Sequence, residues 1–284
     1  MTRAAAIEPT EAHLQIGQSS LRYLTWGDPA LPPVVLLHGR TAIVETWTEV
    51  AQALAERYYV LALEQRGHGR SSWSPTRSYN LEDFLGDLEE FADRVVGRPF
   101  ILVGHSMGAC TALVYTARHP QSVRALVLED GGPPGATVLE AVRKAKADVP
   151  LRFPSWAAAR AQVENRNAWL GAAALERELR ASLREDPAGG VSWRSDIDGL
   201  LADSHTDRDE TFLVGQWEAA RQLRTPTLFL WASAPALMDA EVAERFERSS
   251  ACIRRVTIDC GHSIHEERQD RFLAEIEPFL ASAP

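Results

Sequence analysis

Residues 100–120 read FILVGHSMGACTALVYTARHP. Ile101, Leu102 and Val103 form the short apolar run that a central parallel strand needs. Gly104-His105-Ser106-Met107-Gly108 follows at once and has the form G-x-S-x-G. Beyond it, Ala109, Ala112, Leu113 and Ala117 recur at helical spacing as far as Pro120. The order is strand, tight turn, helix. A side chain at 104 or 108 would crowd such a turn, which accounts for the glycines. Ser106 stands at the apex, with its hydroxyl lifted to the positive end of the helix, where developing negative charge is favoured.

The rest of the composition limits what such a turn can serve. A chain of 284 residues can bury a large core. Its net charge is −9 and it has no Lys/Arg-rich stripe, so a nucleic-acid partner has no electrostatic support. Cys110, Cys252 and Cys260 show no CxxC spacing, which argues against a disulfide framework or a zinc site. They fit a reducing, cytoplasmic setting. The N-terminal stretch MTRAAAIEPTEAHLQIG carries Glu8 and Glu11 and no apolar core, so no secretory signal is expected. No run of 18 apolar residues occurs, so no membrane span is expected. Nothing in the chain suggests a cofactor or metal, and nothing specifies an oligomeric state. The expected partner is a small-molecule substrate.

Strand and helix alternate on both sides of the opening stretch. Leu14–Ile16 and Leu21–Trp26 flank Gly17–Ser20 and predict an antiparallel hairpin. Val34–Leu37 is a buried strand that runs into His38-Gly39-Arg40-Thr41. Thr46–Arg57 is helical, Tyr58–Leu63 is a strand, and Leu81–Val96 is an amphipathic helix with Asn80 as its N-cap. Val123–Leu128 is a strand ending at Glu129-Asp130, before Gly131-Gly132-Pro133-Pro134-Gly135 breaks the pattern. From about 136 to 222 the periodicity reads as helical throughout. Thr227–Trp231, Ile253–Ile258 and the helices after them resume the alternation.

G-H-S-M-G between strand and helix, His-Gly after an earlier strand, and a late Gly261-His262 pair together resemble the α/β-hydrolase superfamily. The segment Glu64-Gln65-Arg66-Gly67-His68-Gly69-Arg70-Ser71 is similar to that family's D-x-R-G-x-G-x-S loop, with Glu64 in place of Asp. Arg66 and His68 read as structural parts of it. The resemblance covers essentially the whole chain and implies a mostly parallel eight-stranded sheet with helices on both faces. It also implies an inserted helical lid: residues 1–131 and 223–284 as the core, 132–222 as the lid. Trp156, Trp169, Trp193 and Trp217 lie in that insertion. They serve its own core, or one or two of them line an apolar chamber. Trp156, Trp169, Trp217 and His38 are the candidates for a substrate pocket.

The resemblance implies Ser106 as nucleophile, His262 as its base, and the Arg40 and Met107 amides as an oxyanion hole. His265 reads as a surface or supporting residue, and His105 as packing that points away from the site. The sequence departs from the family at the acid. The common pattern is W-G-x-x-D, but this chain reads Trp231-Ala232-Ser233-Ala234-Pro235-Ala236-Leu237-Met238-Asp239. Asp239 comes late and looks like a helix cap. Some branches place the acid after the preceding strand, which here ends in Glu129-Asp130. Asp130 ranks first, Glu129 second and Asp239 third. The implied activity is hydrolysis of an ester, lactone or thioester of a small to medium, largely apolar substrate. A lyase or cyclase using the same pocket, or a ligand-binding protein with weakened catalysis, are the alternatives.

Overall fold

The structure is a computed structural model that describes residues 7–133, 149–202, 208–234 and 238–284, with only the backbone for 208–214. The start of the insertion at 134–148 and Pro235 in the acid turn lie outside the described residues.

Eight strands form one sheet: β1 (Thr10–Ile16), β2 (Ser19–Trp26), β3 (Pro33–Leu37), β4 (Tyr59–Leu63), β5 (Phe100–His105), β6 (Val123–Glu129), β10 (Thr227–Ala232) and β11 (Ile253–Ile258). Their order is β1-β2-β4-β3-β5-β6-β10-β11. β1 and β2 form the antiparallel hairpin, and β2 joins β4 antiparallel. All pairings from β4 to β11 are parallel.

The central strands are mostly apolar because helices cover both faces. Val35, Leu37, Leu102, Leu126 and Leu128 face one buried cluster, and Val34, Leu36, Ile101, Val103 and Val127 face the other. The first cluster is closed by α2 (Leu81–Phe91), α3 (Met107–Arg118), α7 (Arg208–Gln222) and α8 (Ala240–Glu247). The second is closed by α1 (Thr48–Leu54) and α10 (Gln269–Ala281). Asn80 caps α2 as expected: its side chain accepts from the Asp83 amide at 3.0 Å, and Asp83 returns a bond to the Asn80 amide.

The inserted stretch is not helical throughout. Beside α4 (Trp156–Arg166), α5 (Ala172–Ser182) and α6 (Ile197–Ala202) it carries β7 (Arg152–Phe153), β8 (Leu183–Glu185) and β9 (Val191–Trp193). These make a separate antiparallel sheet in the order β7-β9-β8. Strands this short show no periodicity in sequence. The turn Asp186-Pro187-Ala188-Gly189-Gly190 between LRE and VSW was the available signal. Gly189 and Gly190 both have positive φ there. The unit has its own core, including Phe153, Val163, Leu179, Val191 and Trp193. Trp193 thus serves that core, but Trp217 does not. Trp217 packs against the main core with the Arg245 guanidinium 4.0 Å from its ring.

Candidate active site

Three backbone strains meet at the carboxyl edge of the sheet. Thr41 follows β3 with φ 63°, Ser106 follows β5 with φ 53°, and Asp130 follows β6 with φ 39°. Non-glycine residues rarely hold such angles, and they do so where the surrounding structure imposes them. At Ser106 the cause is the short passage from β5 into α3. The Ser106 amide donates to Glu129 O at 2.9 Å, and its carbonyl accepts the Cys110 amide at 3.1 Å. The chain is crowded on each side. A Cβ on Gly104 would stand 2.5 Å from Gly108 O, and one on Gly108 would stand 2.5 Å from Leu37 O.

His262 lies in the loop after β11. Its Nδ1 is 2.6 Å from Asp130 Oδ2. The Asp130 side chain is fully enclosed, whereas the His262 ring keeps 35 % of its surface. Asp130 Oδ1 also accepts the Ala232 amide at 3.2 Å, which fixes the carboxylate between β6 and β10. With Nδ1 on the acid, Nε2 is the ring nitrogen left for a reacting proton. Of the three candidate acids, Asp130 is the one on His262. Glu129 is turned to His265, and Asp239 stands exposed at the start of α8.

His105 is buried against the histidine loop, contrary to the expectation that it points away. Its Nε2 donates to the His262 carbonyl at 3.0 Å, and the two ring centroids are 4.6 Å apart. Burial first, and then the neighbouring His262 and His265, hold its pKa well below the ordinary value, so the ring is neutral. The residue directly before Ser106 therefore anchors the backbone of His262. Sequence gave no hint of this, because the contact joins positions 157 residues apart.

His265 is no surface residue. It is 3 % exposed, its Nδ1 is 2.8 Å from Glu129 Oε1, and its ring stacks on Trp47 at 4.0 Å. Burial lowers its pKa, but the Glu129 carboxylate outweighs that and raises it above the ordinary value.

His38 does not line a pocket. It has no exposed surface, and both ring nitrogens are used: Nδ1 donates to Gly39 O at 2.9 Å and Nε2 accepts the Gln65 amide at 3.1 Å. Burial drives its pKa down to about 4, which matches the neutral ring that this bonding requires. His68 does the same one layer out, accepting the Thr41 amide at 3.2 Å and donating to Arg66 O at 2.9 Å. Arg66 pairs with Asp87 at 2.6 and 2.7 Å. Glu64 is fully buried and accepts the Arg70 amide at 2.7 Å and Arg22 Nη1 at 3.2 Å. Together these residues brace the loop 39–41 rather than present chemistry.

Arg40 sits in that braced loop, its side chain donating to Leu200 O at 2.5 Å. Met107 opens α3, where first-turn amides have no acceptor within the helix. Its side chain clusters with Tyr79, Phe84 and Leu200. Both oxyanion candidates are thus in touch with Leu200 of the inserted unit. Trp156 and Trp169 stand exposed on the outside of that unit, at 44 % and 40 %.

The chain and its fold have counterparts among known proteins. A family described as having the alpha/beta hydrolase fold matches residues 32–269. An esterase of Mycobacterium tuberculosis is 30% identical over 94% of this chain and 88% of its own length. An sn-1-specific diacylglycerol lipase of Mus musculus is 28% identical over 90% of this chain and 83% of its own. The crystal structure of E-2-(acetamidomethylene)succinate hydrolase superposes with a TM-score of 0.85 at 21% identity, over 97% of this chain and all of that one. No helix among the described residues is long and apolar enough to cross a membrane. Sheet order, strained serine turn and family match agree, and the chain belongs to the α/β-hydrolase family of enzymes.

Proposed function

We propose that the protein is a serine hydrolase that cleaves an ester, lactone or thioester of a small to medium, largely apolar substrate. The observation that carries this reading is the 2.6 Å bond from His262 Nδ1 to a buried Asp130, beside a serine held at positive φ. Ser106 Oγ attacks the carbonyl carbon while His262 Nε2 takes its proton. Asp130 holds the tautomer and stabilises the imidazolium that forms. The amides of Arg40 and Met107 receive the oxyanion. Collapse expels the alcohol or thiol, which takes its proton from His262. Water activated by the same ring then releases the acid and regenerates Ser106.

The printed names of the relatives, an esterase and a lipase among them, support ester hydrolysis. The inserted unit is read as a cap: Leu200 touches both the Arg40 side chain and the Met107 cluster, which puts apolar surface beside the reacting centre. The lyase and cyclase readings rested on Glu64 in place of Asp and on the missing carboxylate after β10, and the binding reading on the second alone. Asp130 on His262 supports the hydrolase over them.

The test is a panel of aryl esters, lactones and thioesters run against wild type and Ser106→Ala, with fluorophosphonate labelling alongside. Wild type is expected to turn over at least one class and to take the label on Ser106. Ser106→Ala is expected to lose the label and on the order of 10⁴-fold in turnover. Full turnover by that variant rejects the mechanism.

A further inference from the structure

One cavity outside the serine site carries an unbalanced charge. A crevice of about 480 Å³ is lined by Arg70, Ser72, Trp73, Arg184 and Arg194, among others. Arg70 and Trp73 belong to the loop after β4, Arg184 to β8, and Arg194 to the residue after β9. Its walls therefore come from the main body and from the inserted unit. The contact is firm. Trp73 Nε1 donates to Arg194 O at 2.8 Å, and the Gly69 amide donates to Ser195 Oγ at 2.9 Å.

The guanidiniums there are poorly matched with acids. Among the described residues, neither Arg184 nor Arg194 has a carboxylate within ion-pair distance; Asp186 acts on Arg184 from further off and is shared with Arg152. Arg70 has Glu11 at 3.5 Å, but the same oxygen is 2.8 Å from Arg22. Glu64 acts on Arg194 from further off and is already committed to Arg22 and the Arg70 amide. Arg194 Nε is buried without an acceptor. Burial first, then Arg70 and Arg184, hold the Arg194 guanidinium below its ordinary pKa. Three cations gathered this way, in a chain of net charge −9, repel one another across a seam that the fold nevertheless closes.

We propose that this crevice binds a phosphate ester, with Arg70, Arg184 and Arg194 on the phosphate and Trp73 beside its organic group. Convergent guanidiniums match an anion with several acceptor oxygens and more than one charge, which a phosphate ester offers and a carboxylate does not. The volume exceeds what a bare phosphate fills. Trp73 is 42 % exposed, with the Arg184 guanidinium 5.6 Å from its ring, and offers a flat apolar surface for the rest of the ligand. An anion here ties Arg70 of the body to Arg184 and Arg194 of the insertion, so its binding stabilises their docking. The hydrolysis proposed above does not use these residues, and the site stands independently of it.

The probes are phenyl phosphate, as a soluble ester, and phosphatidylglycerol vesicles with phosphatidylcholine vesicles as reference, all at fixed ionic strength with the full chain. Calorimetry and thermal unfolding read the first, and co-sedimentation reads the second. Phenyl phosphate is expected to bind with Kd of about 1 mM or below and to raise Tm. Arg184→Gln with Arg194→Gln is expected to weaken binding at least tenfold. Arg184→Gln alone changes an exposed residue of β8 and guards against a folding defect; it is expected to weaken binding several-fold with aryl-ester turnover unchanged. Arginine-dependent binding confined to phosphatidylglycerol vesicles supports the site with a lipid headgroup as the source of the phosphate. Binding that is equal in wild type and double variant, or absent for both probes, overturns the proposal whatever the esterase assay gives.

Discussion

Glu129 and Asp130 are neighbours at the end of β6, and each holds a different histidine. Asp130 Oδ2 is 2.6 Å from His262 Nδ1, and Glu129 Oε1 is 2.8 Å from His265 Nδ1. Glu129 is the last residue of β6, and Asp130 turns off the strand at φ 39°, so the two side chains leave in different directions and reach different rings. The two histidines are three residues apart, and His265 lies on the short helix α9 (Ile264–Glu267), which turns its ring away from the first. His262 keeps a solvent-facing surface, while His265 is sealed against Trp47. One pair leaves its ring open at the surface for the reaction proposed above, and the other anchors the loop that carries it.

The first consequence concerns the acid. Asp130→Asn is expected to lower turnover by about 10²–10⁴, because an amide cannot enforce the required tautomer or stabilise imidazolium. Asp239→Asn, at an exposed helix start, is expected to change it less than about twofold. Steady-state kinetics on any accepted ester decides this. The reverse ranking would assign the acid to β10.

The second pair predicts the opposite division between stability and rate. Glu129→Ala leaves a buried histidine without its carboxylate and is expected to cost about 3–5 kcal/mol of unfolding free energy. The folded fraction keeps Asp130 on His262, so its turnover is expected to fall less than tenfold. Urea unfolding and active-site titration separate the two effects. A variant as stable as wild type but as slow as Asp130→Asn would show that Glu129 acts in the chemistry.

The positions of Ser106, His262 and Asp130 were legible because each follows a strand end that local pattern identifies; their roles as nucleophile, base and acid are those of the proposal above. Ser106 sits in its glycine turn and His262 in a Gly-His pair. Asp130 became the leading acid once the turn after β10 showed no carboxylate. The supports were not legible. His105 on His262 and His265 on Glu129 depend on where distant segments meet, and the sequence carries no period for that. His38 was misread for a related reason: a histidine after a strand suggests a pocket, but here the backbone of Gly39 and Gln65 consumes both nitrogens. The small sheet of the insertion escaped because strands of two or three residues do not alternate long enough to be seen.

Buried neutral histidines make the fold sensitive to acid. The ordinary value for His38 is 6.5, and burial takes it to about 4 in the folded chain. Between those values the unfolded chain binds more protons, so stability falls as pH falls. The contribution of His38 alone is up to roughly 3 kcal/mol. His68 and His105 are shifted the same way, mainly by burial. His265 opposes them. Its raised value adds stability that is full below 6.5 and is lost as pH rises through the folded value. Glu64, raised to about 7 mainly by burial, and Glu178, raised to about 8 the same way, oppose them too. The share of His38 is read by difference: between pH 7 and pH 5 the urea midpoint of His38→Gln is expected to fall less, or rise more, than that of wild type. A His38→Gln midpoint that follows wild type over that interval contradicts the neutral assignment of His38.

The last prediction tests the contact between the oxyanion loop and the serine turn. A Cβ at Gly39 would stand 2.8 Å from His105 Nδ1 and 3.2 Å from Ser106 Cβ. Gly39 has no positive φ, so Gly39→Ala introduces crowding without backbone strain. The crowding has two outlets. The His105 ring can move, which loosens its 3.0 Å hold on the His262 carbonyl. Otherwise the loop 39–41 moves, carrying the Arg40 amide away from the position proposed for the oxyanion. Either outlet damages the same reaction, so kcat is expected to fall by about 10²-fold, comparable to loss of one oxyanion donor. The stability cost is that of modest overpacking, about 1–3 kcal/mol. Gly86→Ala is the matched control. Gly86 lies inside α2 with nothing within 4 Å of the added methyl, so the variant is expected to be more stable by about 0.5–1 kcal/mol. Its turnover is expected to match wild type. Equal kcat in the two variants would show that the Gly39 loop does not contribute to the reacting centre.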